Sequence, residues 1–424
     1  MNPSQTGALS RWPASFPLAW MAVFTFLMVT RASVGPSSVT LFLALAVSSG
    51  AYLAWKMPGR LWPLLQTYCF IFLALLAFAI CIVGSEASAW KGRPEDFLVS
   101  LPAQVGVVFC VPALVLFLQN RQLLRLLIGV FLTISVWHFV AMPIEAVFGL
   151  KTGWHPAALV PRAAGPLVYQ ASGLAADSFF FSGLFQGMFY MAVGVVYTRR
   201  LFGQKVTISS TALLLLTALW LIPVACVQSR SAFAGSLAAL LLTVLSQVHD
   251  KKRLLQILIP TLLVGGLLYA YLFSGGKSGL DLRTLYLKHY FLSALQWPGI
   301  LMGKGFVRAD YSMLIPGTTP VGHSHNDLVQ ILFSWGLPAL LAYMAFWAGL
   351  VHLIYQQFVK KAEYWPVYAL VAVLPAMVTD LGFQLFEKAA FIIFLTALCM
   401  ALATVQRQGN LQHEKIQGNT PVAL

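Results

Sequence analysis

Charge is what this sequence has least of. Of 424 residues only 9% are Asp, Glu, Lys or Arg, and the acidic side chains number 13. A soluble domain carries about 25% charged residues, so a water-facing surface of ordinary composition is excluded. Cysteine is sparse too. Cys69, Cys81, Cys110, Cys226 and Cys399 all fall inside apolar runs without paired spacing. They read as small buried hydrophobes, offering neither a disulfide frame nor a thiolate metal site. There is no Asp-x-Asp pair and no His-Glu-x-x-His, and no arginine-rich tail or basic-aromatic platform that would suit nucleic acid. The net charge of +14 is instead spread between apolar stretches, as topology signals with some capacity for anionic lipid or phosphate would be.

What is abundant is apolar sequence, 59% of the chain with a mean hydropathy of +0.79. Runs near the length that a hydrocarbon core of about 30 Å demands recur from end to end. Their periodicity is weak, as for helices surrounded by lipid or by one another, and alternation of the β-barrel kind is missing. The expectation is an all-α polytopic membrane protein. Candidate spans are 16–30, 37–55, 61–84, 97–118, 125–148, 178–197, 207–227, 232–248, 254–273, 327–355, 364–384 and 388–405, about twelve in all. The first lacks a small-residue cleavage site and reads as a retained span. The chain divides into spans 1–9 (1–273), a partly helical loop (274–326), spans 10–12 (327–405) and a tail (406–424).

Orientation follows from basic residues in short connections. Arg11; Lys56 and Arg60; Arg121 and Arg125; Arg199, Arg200 and Lys205; Lys251, Lys252 and Arg253; Lys360 and Lys361; Arg407 and Lys415 all occupy alternate connections or tails. That set is expected on the cytoplasmic side with both termini. The opposite face then carries three loops, at about 85–96, about 149–177 and 274–326. The second holds Trp154, His155, Arg162 and Tyr169, and serves either as a connector or as a substrate contact.

Ionisable residues in apolar runs default to functional candidates. His138 and Glu145 lie seven residues apart on one helical face, and Asp380 and Glu387 repeat the spacing. A proton relay competes here with a neutral packing histidine and glutamates at the membrane interface. Ser229-Arg230 falls at the outer end of a span, where an arginine either snorkels or faces an anion; its hydrogen-bonding neighbours favour the anion.

The long loop is the polar exception. Asp281 is expected to cap a helix running to about Gln296, stopped by Pro298. On it Arg283, Tyr286 or Leu287, and Tyr290 share one face, and Leu282, Leu285, His289 and Leu292 another, the pattern of a helix lying on a bilayer. Lys277, Arg283, Lys288, Lys304 and Arg308 outnumber Asp281, Asp310 and Asp327, which suits phosphate. Gly303-Lys304-Gly305 lacks the Ser/Thr and spacing of a nucleotide loop and instead allows a tight return of the chain. The loop ends in His323-Ser324-His325-Asn326-Asp327, where Ser324 and Asp327 match a capping box and put His325 in the first helical turn. A helix N-terminus favours an anion and disfavours imidazolium. His325 there is a neutral base beside an anion site, fit for attack on a carbon bearing a phosphate leaving group. Metal ligation by His-x-His competes, but needs further ligands that the outer face does not group.

These residues resemble the O-antigen ligases and the related O-antigen polymerases. That family closes a large periplasmic loop with His, then Asn/Ser/Gln, nine residues, and Gly-x-x-Gly; here His325-Asn326 is followed by Gly336-Leu337-Pro338-Ala339, with alanine for the last glycine. Arg283 ahead of Pro298 and Gly303-Lys304-Gly305, and the pair Ser229-Arg230, are similar to two further family features. The resemblance implies transfer of a glycan from undecaprenyl diphosphate to lipid A-core oligosaccharide at the periplasmic face of a bacterial inner membrane. No cofactor is implied, and no metal. Arg230 and Arg283 would bind the departing diphosphate, His325 would take the acceptor proton, and His323 would orient it or replace it. Asn326, Ser229, Lys304 and Tyr290 would support the site. An O-antigen polymerase or a protein O-oligosaccharyltransferase would use the same residues. A transporter running on His138, Glu145 and Asp380 would need interrupted helices with polar groups at the membrane midplane.

Overall fold

The computed structural model describes residues 15–34, 38–89, 105–152, 160–161, 169–170, 178–199, 209–227, 229–247, 280–305, 324, 326–378 and 386–418. Its elements are α1 (Ser15–Val34), α2 (Ser38–Lys56), α3 (Pro58–Thr67), α4 (Cys69–Ala89), α5 (Val111–Leu118), α6 (Arg121–Phe148), α7 (Ser178–Arg199), α8 (Ser210–Leu219), α9 (Leu221–Val227) and α10 (Arg230–Gln247). There follow α11 (Leu280–Ala294), α12 (Gly299–Met302), α13 (Asp327–Gln357), α14 (Trp365–Val378) and α15 (Phe386–Gly418). A two-residue antiparallel pair, Val160↔Gln170 and Pro161↔Tyr169, is the only sheet among the described residues.

The stretches 69–88, 121–148, 327–361 and 388–407 are long and apolar enough to cross a membrane, and shorter apolar helices accompany them. Apart from that antiparallel pair the regular structure of the described residues is all helical, and the long apolar helices are those of a membrane protein. Expected span 254–273 lies outside the described residues, as do Asp380 and the side chain of Glu387. Within expected span 61–84, α3 and α4 meet at Tyr68; within 207–227, α8 and α9 meet at Trp220.

Local sequence sets the helix ends. Asn120 caps α6 by accepting from Gln122 N (2.9 Å) and Leu123 N (3.4 Å), and Ser209 caps α8 by accepting from Ala212 N (3.1 Å). At the far end of α6, Glu145 accepts from Thr152 N (2.9 Å) and Thr152 Oγ1 (2.6 Å). Glu145 is thus fully buried, not turned to headgroups as a glutamate near a span end is expected to be. It ties down the chain leaving the helix, which explains its burial. His138, two turns back on the same face, packs between Phe185 (4.6 Å between ring centres) and Trp220 (6.2 Å).

The middle of the bundle is α15, whose residues Ala389 to Ala403 are buried throughout. Around it stand α1, α5, α7, α13 and α14. Small residues allow the closest crossings. A Cβ on Gly235 of α10 would meet the Ala372 carbonyl oxygen of α14 at 2.5 Å, and one on Gly187 of α7 would meet Phe391 Cζ of α15 at 2.5 Å. On the outside, Phe70, Leu73, Leu76, Ile80 and Val83 of α4 form an exposed apolar stripe at helical spacing, the face that lipid covers. The cysteines divide accordingly: Cys110, Cys226 and Cys399 are buried, Cys81 is half-buried, and Cys69 is exposed on α4 rather than buried.

The Gly235 crossing makes a direct test. Gly235→Leu should lower stability in detergent by about 1–3 kcal/mol, since the backbone opposite cannot retreat. Gly50→Ala, where no atom lies within 4 Å, should cost nothing. Thermal unfolding of the two variants beside the parent checks both.

Candidate functional site

Of the polar residues expected to act, Asn326, Lys304 and Tyr290 gather around the first half of α13, which is not one continuous helix. At Gly336 the backbone turns to φ 83°, ψ 177°, followed by Pro338. This break releases carbonyls from the helical ladder, and other segments take them up. Lys304 N donates to Phe333 O (2.9 Å), while Gly305 N (2.8 Å) and Ser85 Oγ of α4 (2.7 Å) both donate to Ser334 O. In a bilayer such groups have no water to fall back on, so pairing within the protein is obligatory.

Two glycines make this crossing possible. Gly303 has φ 70°, and a Cβ there would run into the Ser334 carbonyl; a Cβ on Gly336 would strike the Leu301 carbonyl and come within 2.9 Å of Gly303 N. Both positions need a left-handed residue without a side chain. The tight return expected at Gly303-Lys304-Gly305 is therefore present, and Gly336 is its partner across the crossing. Ala339 is fully buried, which accounts for a small residue there.

Next to the break, Trp335 Nε1 donates to Glu86 Oε1 (3.0 Å). Ser85 and Glu86 are buried in the last turns of α4, which runs to Ala89; a loop beginning at residue 85 is thereby corrected. Pairing with Ser334 and Trp335 lets these polar side chains stay helical. Gln330 links the two ends of the half-helix: its Oε1 accepts from Ser324 N (2.7 Å) and its Nε2 donates to Ser334 Oγ (3.1 Å). Asp327 is buried and accepts from Tyr343 Oη at 2.6 Å, a bond that spans the break.

The start of α13 also corrects the expected capping box. Asn326, not Ser324, is the cap, its side-chain oxygen accepting from Val329 N (3.1 Å). Ser324 Oγ instead donates to Asn326 O (2.8 Å). The first helical residue is Asp327, so the first turn begins after residue 325 rather than enclosing it. Asn outcompetes Ser because it sits one residue before the first helical amides with its oxygen aimed at them. His323 and His325 themselves lie outside the described residues.

Helix α11 starts at Leu280 and takes Asp281 into its first turn instead of using it as a cap. Arg283 lies on this helix, with its side chain outside the description. Tyr286 and Tyr290 turn toward the protein. Tyr290 is fully buried and meets Phe333 edge to face at 4.7 Å; burial, with Tyr286 adding to it, pushes its hydroxyl up to about 12. Lys304 Nζ donates to Ser293 Oγ (2.6 Å) and stands 5.6 Å from the Phe333 ring centre, desolvation lowering its affinity for a proton. Tyr290, Lys304 and Asn326 thus meet at one half-helix. Ser229 does not join them: it caps α10, accepting from Ala232 N (3.3 Å) and pairing with Ser231 Oγ (3.2 Å). Arg230 is the first residue of α10, its side chain outside the description.

Sequence reasoning passed over Ser85, Glu86, Gln330, Tyr343 and the buried Lys388 of α15. Glu86 carried one usable signal, an acid directly following a long apolar run. Among the described residues no three His, Cys, Asp or Glu side chains cluster as metal ligands. No protein-family model matches the chain, and no curated protein matches it.

Two substitutions probe this arrangement. Gly336→Ala should cost at least the 1–2 kcal/mol, roughly, of a left-handed alanine, and more from the collision with Leu301. Tyr343→Phe should cost about 1–3 kcal/mol by withdrawing a donor from a buried carboxyl group. Unfolding of each variant in detergent reads both losses.

Proposed function

We propose that this chain is a glycosyltransferase of the O-antigen ligase type, moving glycan from undecaprenyl diphosphate to lipid A-core oligosaccharide. In this reading it sits in a bacterial inner membrane with about twelve spans, cytoplasmic termini and a periplasmic site. One observation carries the reading. Gly303-Lys304-Gly305 and Gly336, two parts of the motif pattern that are well separated in sequence, meet in a close backbone approach that only glycine permits, and backbone hydrogen bonds from Lys304 and Gly305 to Phe333 and Ser334, just before Gly336, hold it. Two of the parts through which the chain resembles the ligases thus lie in one built structure, and that meeting supports the reading.

The chemistry follows from that frame. Asn326 and Gln330 fix the chain on either side of His325, directly before the positive end of α13. A neutral His325 takes the proton of an acceptor hydroxyl as its oxygen forms a bond to the anomeric carbon. The bond from that carbon to the diphosphate breaks, and the leaving group departs with the electron pair, its charge held by Arg230 and Arg283. Direct displacement inverts the anomeric centre. Lys304, occupied with Ser293, supports the loop in place of binding phosphate itself.

The test is reconstitution of purified protein with lipid-diphosphate glycan and lipid A-core acceptor. His325→Ala should reduce transfer by about a hundred- to ten-thousand-fold, the usual worth of a general base, with thermal stability unchanged. Undiminished transfer by that variant would sink the assignment.

A further inference from the structure

The turn between α11 and α12 carries an unusual surface. Phe291, Leu292, Leu295, Trp297, Leu301 and Met302 are all exposed, Trp297 at 76%, within twelve consecutive residues. These residues lie outside the four stretches able to cross a membrane. The opposite side of the same hairpin is fully engaged, with Tyr290 and Ala294 packed on Leu332 and Phe333. We infer that this hairpin is a membrane-inserting wedge, held in the boundary between headgroups and acyl chains of one leaflet, with bilayer lipid as its occupant.

Two lengths set its depth. Near the other end of the bundle Tyr68 Oη bonds Met400 O (3.0 Å), Arg407 lies 5.9 Å from the Tyr68 ring, and Lys361 bonds Gln406 (3.0 Å). Such cations mark a water boundary. From Tyr68 to Ser85 along α4 is about 25 Å, and from Gly336 to Gln357 along α13 about 31 Å, at about 1.5 Å per residue. A hydrocarbon core is about 30 Å thick, so the crossing of Gly303 with Gly336 stands at its far edge. The hairpin is fastened to that crossing.

Three further features fit lipid. The exposed apolar stripe of α4 runs up to Val83, two residues short of Ser85, which shares the Ser334 carbonyl with Gly305; α12 also packs on α4. The hairpin surface therefore continues a face already covered by lipid. Its backbone is paired internally, through Leu301 N to Pro298 O (3.0 Å), Gly303 N to Gly299 O (2.7 Å) and the bonds of Lys304 and Gly305. Lipid demands that, and water does not. The charges respect the same boundary: Lys304 turns inward to Ser293, while Lys288 and His289 are exposed farther back on α11.

The inference is independent of the proposed reaction. Its test uses the full chain in nanodiscs, comparing tryptophan emission of the parent with Trp297→Phe, so that the difference isolates Trp297. That component should be quenched by lipids brominated just below the glycerol backbone, less by lipids brominated at the chain end, and not by aqueous iodide. A Leu295→Trp reporter in the Trp297→Phe background should give the same order. Quenching by iodide alone would mean water, and quenching by neither agent would mean cover by a second copy or another stretch of the chain. Strongest quenching from chain-end bromine would mean a deeper position. Any of these results overturns the wedge.

Discussion

A helix interrupted beside lipid must find new partners for the carbonyls it releases, and most of this structure's polar half answers to that one requirement. The break at Gly336 leaves Phe333 O and Ser334 O to be satisfied, and the donors come from Lys304, Gly305 and Ser85. A loop and a neighbouring helix are thereby fixed to α13 by backbone geometry rather than by side-chain packing alone. Such bonds cannot slide by a residue without losing a partner in a medium that supplies none.

The buried polar side chains follow the same logic. Glu86 receives a bond from Trp335, Asp327 from Tyr343, and Glu145 from Thr152. Each joins two segments that apolar contact would hold less specifically. Gln330, bonded to Ser324 and Ser334, spans the short half-helix from its approach to its break. The segment bearing the proposed base is therefore bounded by residues of fixed position, which is what positioning a nucleophilic hydroxyl demands.

Much of the fold was legible because its cause is local. Long apolar runs separated by basic turns point to helices wherever they occur, and α6 and α13 begin where polar caps precede the runs. The candidate site was legible only in part. The motif pattern drew attention to Gly303 and Gly336, but nothing in the order of residues says that one glycine lies against the other's neighbouring carbonyl. Ser324 and Asn326 are both competent caps, and choosing between them depends on where Gln330 draws the chain. Glu86 looked like the start of a loop because its partner, Trp335, is distant in sequence. The glycine crossing and the Glu86–Trp335 pair are contacts between residues far apart in the chain, whereas the cap is decided within six residues.

The central position of α15 has a bearing on how the molecule is made. Among the described residues the helices that surround it, α1, α5, α7, α13 and α14, all precede it in the chain. A membrane protein is released sideways into lipid as it is synthesised, so those walls enter the bilayer before the pillar they stand around. Until Ala389 to Ala403 arrive, the walls have either lipid or one another in its place. Insertion of α15 is therefore an expulsion, in which the arriving pillar displaces whatever holds its seat, and packing of these walls waits on that exchange.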